Sequence, residues 1–548
     1  MKIVIIGGVA AGASAATKAR RMDETAEITI FEKGPYVSFA NCGLPYYVGG
    51  TIKNRENLIL VSPELFKNRF NIDVQVDTEV LAIYPEKKTI KIKNATEESE
   101  VGYDKLILGM GGEPIVPKFP GINLHHVYNV FTVPDADQIV NMLKNGVKSA
   151  VVVGGGFIGL ETAEGMLNRG VQTTLVEAQD QLLTNFDPEF SLPVEQQLKE
   201  LGLDIRLGNS LNEIIGDENG CVKAVKLSDG CEVATDLVIL AVGVRPRVSL
   251  AKDCGIVLGE TGGVLVDAEM RTSIPDIYAA GDIVESMHLV SKQKVRIPLA
   301  GSANKQGRIA GNNAVGGELL FKGVLGTAII KVGKLACART GLNEKECIQY
   351  GLSYDVTYLY SNSSASYYPG ADSLIIKVVF EKITGRLLGA QVVGRKGADK
   401  RIDVYATAIY ANLTVFDLEN LDLAYAPPYA SAKDPVIMSG MVASNLVRGV
   451  VKAVKPMDAV ELGKQENTIL LDVRSAGEFA DGSLEGAVNI PVDELRARMG
   501  ELDKNKKLIV YCGVGYRAYL ACRILIQNGY DAYNVSGGYY TCTMDISE

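Results

Sequence analysis

The chain has 548 residues and a formal net charge of −9, with 47% hydrophobic and 22% charged residues. This length exceeds what one hydrophobic core supports, so about three or four domains are expected. The acidic balance argues against nucleic acid as a bulk partner, because phosphate backbones select basic surfaces. No apolar run reaches the roughly 20 residues that span a bilayer, and no secretory signal precedes the first strand, so a cytoplasmic protein is expected.

The cysteines and histidines narrow the chemistry. Nine cysteines, an odd number, are spread from Cys42 to Cys542, which is typical of a reducing compartment rather than a disulfide framework. Histidine is limited to His125, His126 and His288, whereas many thiol oxidoreductases need a histidine base. No metal site is predicted.

The first predicted element is a buried strand at residues 2–6, followed by a glycine-rich turn and an alanine-rich helix. Such a turn lets the backbone approach a pyrophosphate, and the helix N-terminus supplies free N–H groups. Glu32, 20 positions past Gly12, is placed to accept a hydrogen bond from an adenosine ribose. Val9 stands where the fingerprint has its second glycine, and such turns also occur as plain connections. The predicted ligands are Gly7, Gly8, Ala11, Gly12, Glu32 and Lys33.

A second strand, turn and helix begin at residue 149, and here every glycine of the fingerprint is present. Glu177 ends the following strand and no arginine follows it immediately, which favours NADH over NADPH. Two such turns predict two dinucleotides held face to face. The predicted ligands of the second dinucleotide are Gly154, Gly156, Phe157, Ile158, Gly159, Glu161, Glu177 and Gly243.

Three further strands, at residues 103–109, 236–246 and 277–282, behave as partners of these turns. With the two glycine-rich turns and these three strands in this order, the chain resembles the two-dinucleotide flavoprotein disulfide reductases. The resemblance implies that Gly281 and Asp282 hold the ribityl and phosphate region of FAD. The alternative for Asp282 is a turn residue after a strand.

Cys42 lies in the segment Ser38–Tyr46 with no second cysteine nearby, so it cannot form a local redox disulfide. A single thiol can still cycle beside a flavin by forming a mixed disulfide with the substrate. The surrounding Asn, Gly and Pro predict an accessible loop or helix start whose N–H groups lower the pKa of the thiol. The alternative is a small buried core cysteine.

This segment is similar to that of the coenzyme A-disulfide reductases, and the resemblance extends to about residue 445. Peroxidases and oxidases of the same branch also use one cysteine. In coenzyme A-disulfide reductases the tyrosines that match Tyr367 and Tyr425 reach the other subunit's active site as proton donors, which implies a homodimer. With no histidine after His288, tyrosine hydroxyls are expected to fill that role. Tyrosines at Pro-rich turns are otherwise packing residues.

Coenzyme A phosphates need cations, and Ser14, Lys18 and Arg21 fall on one face of the first predicted helix, beside Arg20. On the sequence alone this is equally a solvated basic turn that complements the helix C-terminus. The resemblance places the coenzyme on this face. The implied substrate ligands are Ser14, Lys18, Arg21, Ser38, Asn41, Asn304 and Lys433.

A new α/β pattern after Pro456 resembles rhodanese domains. A strand delivers Cys512 into a tight turn before a helix, where backbone N–H groups and Arg517 would stabilise a thiolate or persulfide. The loop from Cys512 to Arg517 spans six positions, one fewer than in phosphatases of related fold, which favours sulfane sulfur over phosphate. The alternative is an inactive regulatory domain, which usually lacks the cysteine. Cys522 and Cys542 are interpreted as structural.

The predicted fold class is α/β, with two Rossmann-like dinucleotide-binding domains, an α+β dimerisation domain and a C-terminal rhodanese-like α/β domain. The predicted boundaries are 1–112 and 251–325 for the FAD-binding domain, 113–250 for the NAD(P)H-binding domain, 326–446 for the dimerisation domain, 447–456 for a linker and 457–548 for the rhodanese domain.

The leading hypothesis is a flavoprotein that reduces coenzyme A persulfide, polysulfide or coenzyme A disulfide through Cys42, with Cys512 as sulfane-sulfur carrier. It requires FAD, NADH (with NADPH as an alternative donor) and coenzyme A as a substrate that could stay tightly bound. The expected partners are coenzyme A thiol derivatives, small sulfane-sulfur donors and a second copy of the chain, with neither nucleic acid nor membrane. The competing hypotheses are an NADH oxidase or peroxidase that uses a Cys42 sulfenic acid, and a flavin-based redox-sensing binding protein.

Overall fold

The computed structural model describes residues 1–544, so the end of the predicted rhodanese domain, 545–548, lies outside the described residues. The chain divides into two units: Met1–Leu182 with Lys199–Gly326, and Leu183–Leu198 with the chain from Thr327 onward. The segment Leu183–Leu198 falls within the predicted range 113–250 but packs with the second unit.

The first unit contains two five-stranded parallel sheets, each with a central strand that runs into a glycine-rich turn. Ile3, Val4 and Ile5 of the first central strand are fully buried, as expected for a strand covered on both faces. The two sheets agree with the predicted pair of Rossmann-like domains. In spatial order the strands are Ile277–Ala279, Lys105–Leu108, Lys2–Ile6, Glu27–Phe31 and Asp73–Gln75 in the first sheet, and Asp204–Arg206, Gln172–Val176, Ser149–Val153, Leu237–Leu240 and Val127–Asn129 in the second.

Antiparallel strands and short helices complete the first unit. The remaining strands form the sheets Glu79–Tyr84, Thr89–Lys93 and Glu98–Gly102; Leu211–Gly216, Val222–Leu227 and Glu232–Ala234; Gly112–Pro114 and Val244–Pro246; and Ser286–Met287 and Lys294–Val295. The α-helices are Ala10–Met22, Leu44–Val48, Pro63–Phe70, Val133–Lys144, Phe157–Asn168, Ser249–Asp253 and Ala300–Ala314, and the 3₁₀ turns are Asn41–Gly43, Arg55–Leu58 and Pro85–Lys87.

Two helices of the first unit pack backbone against backbone beside the first glycine-rich turn. A Cβ atom added to Gly307 would lie 2.1 Å from the carbonyl oxygen of Ala11, and one added to Gly311 would lie 2.1 Å from that of Ala15. Only glycine facing alanine permits this approach. The Ala-rich helix that follows the turn is therefore fixed in place by packing rather than by long side chains.

The second unit combines an antiparallel and a parallel five-stranded sheet. In spatial order the strands are Ala328–Val332, Leu335–Gly341, Leu387–Gly394, Ser373–Glu381 and Tyr354–Asn362 in the antiparallel sheet, and Lys452–Val454, Asp531–Val535, Lys507–Tyr511, Thr468–Asp472 and Val488–Asn489 in the parallel sheet. The α-helices are Pro188–Glu200, Glu344–Gln349, Ala398–Tyr410, Val415–Leu418, Pro435–Val447, Pro456–Gly463, Ala476–Ala480, Leu495–Arg498, Tyr516–Gln527 and Gly538–Cys542, with a 3₁₀ turn at Met499–Glu501. Within residues 1–544, no helix has the length and apolar character needed to span a membrane.

A buried charge cluster fastens the segment Leu183–Leu198 to the antiparallel sheet. The side chain of Lys377 is 1% exposed, and its ammonium lies 2.8 Å from Asp187 and 2.5 Å from Glu189, both on that segment. Glu344 is a third partner at 2.6 Å. Because a buried charge is costly unless it is paired, these carboxylates and the lysine hold one another in place.

Candidate active sites

The first glycine-rich turn is held by the acidic residue of the neighbouring strand. Glu32 accepts hydrogen bonds from the backbone N–H groups of Gly8 (2.8 Å) and Gly34 (2.9 Å). A Cβ atom added to Gly12 would lie 1.8 Å from the carbonyl oxygen of Gly7. The turn is therefore too tight for any side chain at Gly12 and leaves bare backbone at the helix N-terminus, as dinucleotide binding requires.

The second turn repeats this construction. Glu177 accepts hydrogen bonds from the backbone N–H groups of Gly155 (2.6 Å) and Gln179 (2.8 Å). A Cβ atom added to Gly159 would lie 1.9 Å from the carbonyl oxygen of Gly154. Glu32 and Glu177, predicted as dinucleotide ligands, each also fix their own glycine-rich turn.

The two turns differ at the second glycine of the fingerprint. A Cβ atom added to Gly156 would have no other atom within 4 Å, so the backbone there faces open space. Val9 occupies the equivalent position of the first turn and precedes the helix Ala10–Met22. A phosphate can approach the second turn along a path that carries no side chain.

Asp282 follows the left-handed residue Gly281, whose φ is +88°, and the positive charge of Arg296 acts on its carboxyl group. Burial raises the pKa of Asp282, and the positive charge of Arg296 opposes that rise. Arg296 donates to the carbonyl oxygen of Val244 at 3.3 Å, while its Nε and Nη1 are buried without a hydrogen-bond partner in residues 1–544. Buried donors of this kind require acceptors, which the carbonyl, ribityl and phosphate oxygens of a flavin nucleotide supply. The residues present therefore fit FAD, and sequence analysis missed Arg296, which lies in no recognised motif.

The other predicted cofactor ligands lie at element ends. Lys33 follows Glu32 and forms an exposed ion pair with Glu79 at 2.8 Å. Phe157 and Ile158 begin the helix Phe157–Asn168, hereafter the nucleotide helix, directly after the second turn. Gly243 adopts a φ of +105°, a conformation that favours glycine.

Cys42 lies in the 3₁₀ turn Asn41–Gly43, which leads directly into the helix Leu44–Val48, hereafter the thiol helix. The residue is exposed, as predicted. The predicted direction of its pKa shift is wrong. Atoms packed around the sulfur and the negative charges of Glu161 and Asp282 raise the pKa of the thiol, and the effect of its backbone N–H is smaller.

The residue that links the thiol helix to the nucleotide helix is Tyr46. Its hydroxyl donates to Glu161 at 2.9 Å. Sequence analysis placed Glu161 among the cofactor ligands but missed Tyr46, whose only signal is a position one helical turn after Cys42.

The predicted coenzyme A face is assembled in part. The hydroxyl of Ser14 donates to Asn304 at 2.6 Å, so two of the implied ligands meet. Lys18 and Arg21 lie on the same helix, where the Lys18 ammonium is 3.1 Å from the Met22 sulfur and Arg21 is exposed.

Arg20 is not part of a solvated basic turn. It is 4% exposed. Its guanidinium donates to the carbonyl oxygens of Phe70, Asp23, Glu24, Ala26 and Asn71. The solvated alternative is wrong for this residue, because five carbonyl groups from two chain segments converge on it.

The remaining implied substrate ligands are exposed or near the first turn. Ser38 has a φ of +48° and its N–H donates to the carbonyl oxygen of Gly8 at 2.8 Å. Asn41 precedes Cys42 and is exposed. Lys433 is an exposed residue of the second unit.

Tyr367 and Tyr425 meet although they are far apart in the sequence. Their hydroxyl oxygens lie 3.3 Å apart, and the two residues are 74% and 49% exposed. The hydrogen bond from Tyr367 raises the pKa of Tyr425. A pair of exposed hydroxyl groups is poorly explained as packing and suits proton donation to a bound molecule.

Cys512 lies between the strand Lys507–Tyr511 and the helix Tyr516–Gln527, as predicted. The residue is 1% exposed, and its sulfur accepts a hydrogen bond from the N–H of Gly515 at 3.2 Å. Arg517 stands beside the sulfur, and hydrogen bonds to Glu478 and the nearby Cys512 raise the pKa of its guanidinium.

The partner of Arg517 is Glu478, which the sequence analysis did not list as a site residue. Two hydrogen bonds of 2.7 and 2.6 Å join the guanidinium and the carboxylate. The bond from Arg517 lowers the pKa of Glu478 to about 2. Burial places Cys522 in the core and raises the pKa of Cys542 to about 12, which suits the structural role expected for both.

Comparison with known families accounts for most of the chain. Residues 1–307 match the family described as pyridine nucleotide-disulphide oxidoreductase. Residues 327–435 match the dimerisation domain of that family, and residues 456–543 match the rhodanese-like domain. The predicted fold class is confirmed.

Three known proteins illustrate the similarity. An NAD(P)H sulfur oxidoreductase (CoA-dependent) of Pyrococcus furiosus is 39% identical over 80% of this chain and 98% of its own length. The solved structure of reduced CoADR-RHD from Bacillus anthracis is 43% identical, with a TM-score of 0.96 over 99% of this chain and 98% of that chain. The structure of an NAD-dependent persulfide reductase from A. fulgidus is 38% identical, with a TM-score of 0.91 over 99% of this chain and 100% of that chain.

Proposed function

Because the chain belongs to the pyridine nucleotide-disulphide oxidoreductase family and carries a rhodanese-like domain, we propose that it is an NAD(P)H-dependent reductase of coenzyme A persulfide, polysulfide or coenzyme A disulfide. One observation carries the proposal: an exposed thiol without a partner cysteine in its own segment, Cys42, occurs in the same chain as a loop-bound thiol, Cys512. A lone thiol that reduces a disulfide or persulfide must form its mixed disulfide with the substrate. The P. furiosus and A. fulgidus proteins, by their names, act on sulfur compounds.

Each dinucleotide has its own set of ligands in this proposal. FAD, when bound, passes the two electrons of a hydride from NAD(P)H to the thiol site. The turn from Gly7 to Gly12, with Glu32, Asp282 and Arg296, would hold FAD. The turn that begins at Gly154, with Glu177 and Gly243, would hold the nicotinamide nucleotide.

Cys42 acts as the nucleophile. As a thiolate it attacks the disulfide of coenzyme A, forms a Cys42–coenzyme A mixed disulfide and releases one coenzyme A thiolate. With coenzyme A persulfide the same attack on the inner sulfur releases hydrosulfide. Two electrons and one proton then cleave the mixed disulfide and return the Cys42 thiolate and free coenzyme A.

Tyr367 and Tyr425 supply the proton to the departing sulfur. Their facing hydroxyl groups can deliver one proton and share the remaining one. The match of residues 327–435 to a dimerisation domain supports a homodimer, in which each tyrosine pair would serve the partner subunit's thiol.

Cys512 carries sulfane sulfur. Its thiolate attacks the outer sulfur of a persulfide or polysulfide donor, so the donor's S–S bond breaks, the donor leaves as a thiolate or shortened polysulfide, and a Cys512 persulfide forms. The thiolate of coenzyme A then attacks the outer sulfur of that persulfide, which gives coenzyme A persulfide and returns the Cys512 thiolate. The N–H of Gly515 and the charge of Arg517 stabilise the negative sulfur at each stage.

Glu177 favours NADH as the electron donor. A carboxylate accepts hydrogen bonds from a ribose diol but repels a 2′-phosphate, so kcat/KM for NADH should exceed that for NADPH about tenfold. Replacing Glu177 by Gln keeps an acceptor for the N–H of Gly155 and should lower the ratio of kcat/KM for NADH to kcat/KM for NADPH. Steady-state kinetics with both donors checks this, and a higher kcat/KM for NADPH in the unmodified protein would contradict the assignment.

The proposed function is tested with the full chain and four acceptors. NADH consumption should be steady with coenzyme A persulfide and coenzyme A disulfide and slow with oxygen and hydrogen peroxide. Denaturation in reductant should release FAD together with coenzyme A. Faster NADH consumption with oxygen or peroxide than with either coenzyme A compound would overturn the proposal in favour of an oxidase or peroxidase.

A further inference from the structure

Two loops of the second unit carry the exposed tyrosine pair. Residues 363–372, hereafter the first tyrosine loop, join two strands of the antiparallel sheet and carry Tyr367. Residues 419–434, hereafter the second tyrosine loop, precede the helix Pro435–Val447 and carry Tyr425. Because the two hydroxyl groups belong to separate loops, their 3.3 Å separation depends on what holds the loops together.

The side chain of Arg401, in the first turn of the helix Ala398–Tyr410, contacts both loops. It is 1% exposed. Its Nη2 donates to the carbonyl oxygen of Ser363 at 2.9 Å, in the first tyrosine loop. In the second tyrosine loop, the same nitrogen donates to the carboxylate of Asp434 at 2.9 Å and lies 3.5 Å from the carbonyl oxygen of Tyr429. One guanidinium therefore connects the two loops.

Asp434 is itself fixed by the helix that follows it. The residue is 2% exposed, and its other carboxylate oxygen accepts a hydrogen bond from the N–H of Val436 at 3.0 Å. A buried ion pair adds little net stability, because the loss of hydration offsets the attraction. What the pair of Asp434 and Arg401 supplies is a fixed distance between the two tyrosine loops.

Hydrogen bonds between the loops lie close to the tyrosines. The N–H of Ala365 donates to the carbonyl oxygen of Pro427 at 3.1 Å. These two residues are each two positions from the tyrosine of their own loop. A change in the spacing of the loops is therefore passed on to the two phenol groups.

We propose that Arg401 and Asp434 form a positioning clamp, which sets the distance between the hydroxyl groups of Tyr367 and Tyr425 and so the delivery of a proton to the departing sulfur. Both side chains of the clamp are buried, so they act through the tyrosines and not on the substrate itself. Arginine suits this role because its planar guanidinium presents several donors in a fixed geometry, whereas lysine offers one compact ammonium group. The inference rests on the proposed role of the two tyrosines as proton donors.

The test is a double-mutant cycle on the full-length flavoprotein, with kcat measured at saturating coenzyme A disulfide. Arg401→Lys keeps the charge but cannot hold both loops at once, so kcat should fall about fivefold while flavin reduction by NADH keeps its rate. In the variant in which Tyr367 and Tyr425 are both replaced by Phe, the same substitution should lower kcat no further. A residue that only stabilises the fold would lower kcat by the same factor in both backgrounds.

Arg339→Lys is the matched control, because Arg339 is also a buried arginine of the second unit but pairs with Glu346 at 2.6 Å instead. It should leave kcat unchanged. Should Arg401→Lys fail to fold, Asp434→Asn decides, since it keeps an acceptor for the N–H of Val436 and removes the charge that holds the guanidinium. The same fivefold loss, absent in the double-Phe background, is expected for it.

Three results would overturn the clamp. They are an unchanged kcat in the clamp variants, an equal loss of kcat in the double-Phe background, and a loss that comes with a change of oligomeric state in size-exclusion chromatography. Wild-type kcat in the double-Phe variant itself would instead remove the proposed proton donors, and with them the clamp. The failure of the clamp alone is thus distinct from a failure of the proposed function.

Discussion

The two thiols to which the proposed function assigns roles lie in different surroundings. Cys42 is exposed, and packing together with the charges of Glu161 and Asp282 raises its pKa. Cys512 is 1% exposed and receives the N–H of Gly515. Exposure alone would rank the first as the more reactive thiol, whereas the N–H of Gly515 and the guanidinium of Arg517 lie beside the second.

The difference fits the role proposed for each thiol. A sulfur carrier has to stabilise an anionic persulfide with the groups of its own loop. A thiol that works beside a flavin receives its electrons from outside. The two thiols should therefore be separable by mutation.

The largest expected effect comes from Cys42→Ser. Reduction of coenzyme A disulfide and persulfide should fall by on the order of a thousandfold or more, since the nucleophile is lost. FAD should stay bound, because the substitution leaves Glu32 and the backbone of the first glycine-rich turn, which would hold it, unchanged. Steady-state rates and the flavin absorbance of the purified variant check both points, and wild-type turnover of persulfide would show that Cys42 is not the nucleophile.

Cys512→Ser should not affect the reactions of Cys42. NADH-dependent reduction of coenzyme A disulfide and of preformed coenzyme A persulfide should stay within about twofold of wild type. Transfer of sulfur from thiosulfate or polysulfide to coenzyme A should fall by about a hundredfold or more. If reduction of preformed persulfide were abolished instead, the rhodanese-like domain would be an obligatory relay and the separation of the two thiols would fail.

Replacing Tyr367 and Tyr425 together by Phe tests whether these hydroxyl groups supply the proton for the reaction at Cys42. Turnover should slow about tenfold, equivalent to about 1.4 kcal/mol, while flavin reduction by NADH is spared. Tyr368→Phe is a matched control, since Tyr368 follows Tyr367 directly and is also exposed. Stopped-flow flavin absorbance separates the two steps, and equal slowing of flavin reduction would indicate a general defect.

Local patterns made the fold and both glycine-rich turns predictable. A buried strand, a glycine turn, a helix and a terminal glutamate all lie within about 30 residues of one another, so Glu32 and Glu177 could be placed from spacing alone. The meeting of Ser14 with Asn304, and of Tyr367 with Tyr425, was expected only from the resemblance.

Features that depend on contacts between distant parts of the chain could not be predicted from the sequence. The pKa of Cys42 is raised first by burial and then by the charges of Glu161 and Asp282, all of which involve distant elements, so a local argument about N–H groups had the wrong sign. Arg20 is buried because carbonyl groups of residues 70 and 71 reach it. Arg296 lies outside every motif, and what reveals it is that its Nε and Nη1 are buried without a hydrogen-bond partner among residues 1–544.

The smallest expected effect concerns the charge beside Cys512. Glu478 holds Arg517 by two hydrogen bonds that lower the pKa of Glu478 to about 2. The contribution of this ion pair to stability is therefore complete above about pH 5 and is lost as pH falls through about 2. The two side chains are 36% and 37% exposed, so Glu478→Gln should change the free energy of unfolding by less than about 1 kcal/mol.

With its anionic partner gone, the guanidinium of Arg517 can turn away from the sulfur, and sulfur transfer from thiosulfate to cyanide should fall about threefold. Coenzyme A disulfide reduction through Cys42 should be unchanged, because neither residue touches that site. Both rates are measured on the same preparation across neutral pH. Glu501→Gln is a matched control, since Glu501 pairs with Arg498 at 2.8 Å instead. Equal sulfur transfer in the two variants would mean that Arg517 keeps its position beside Cys512 without Glu478.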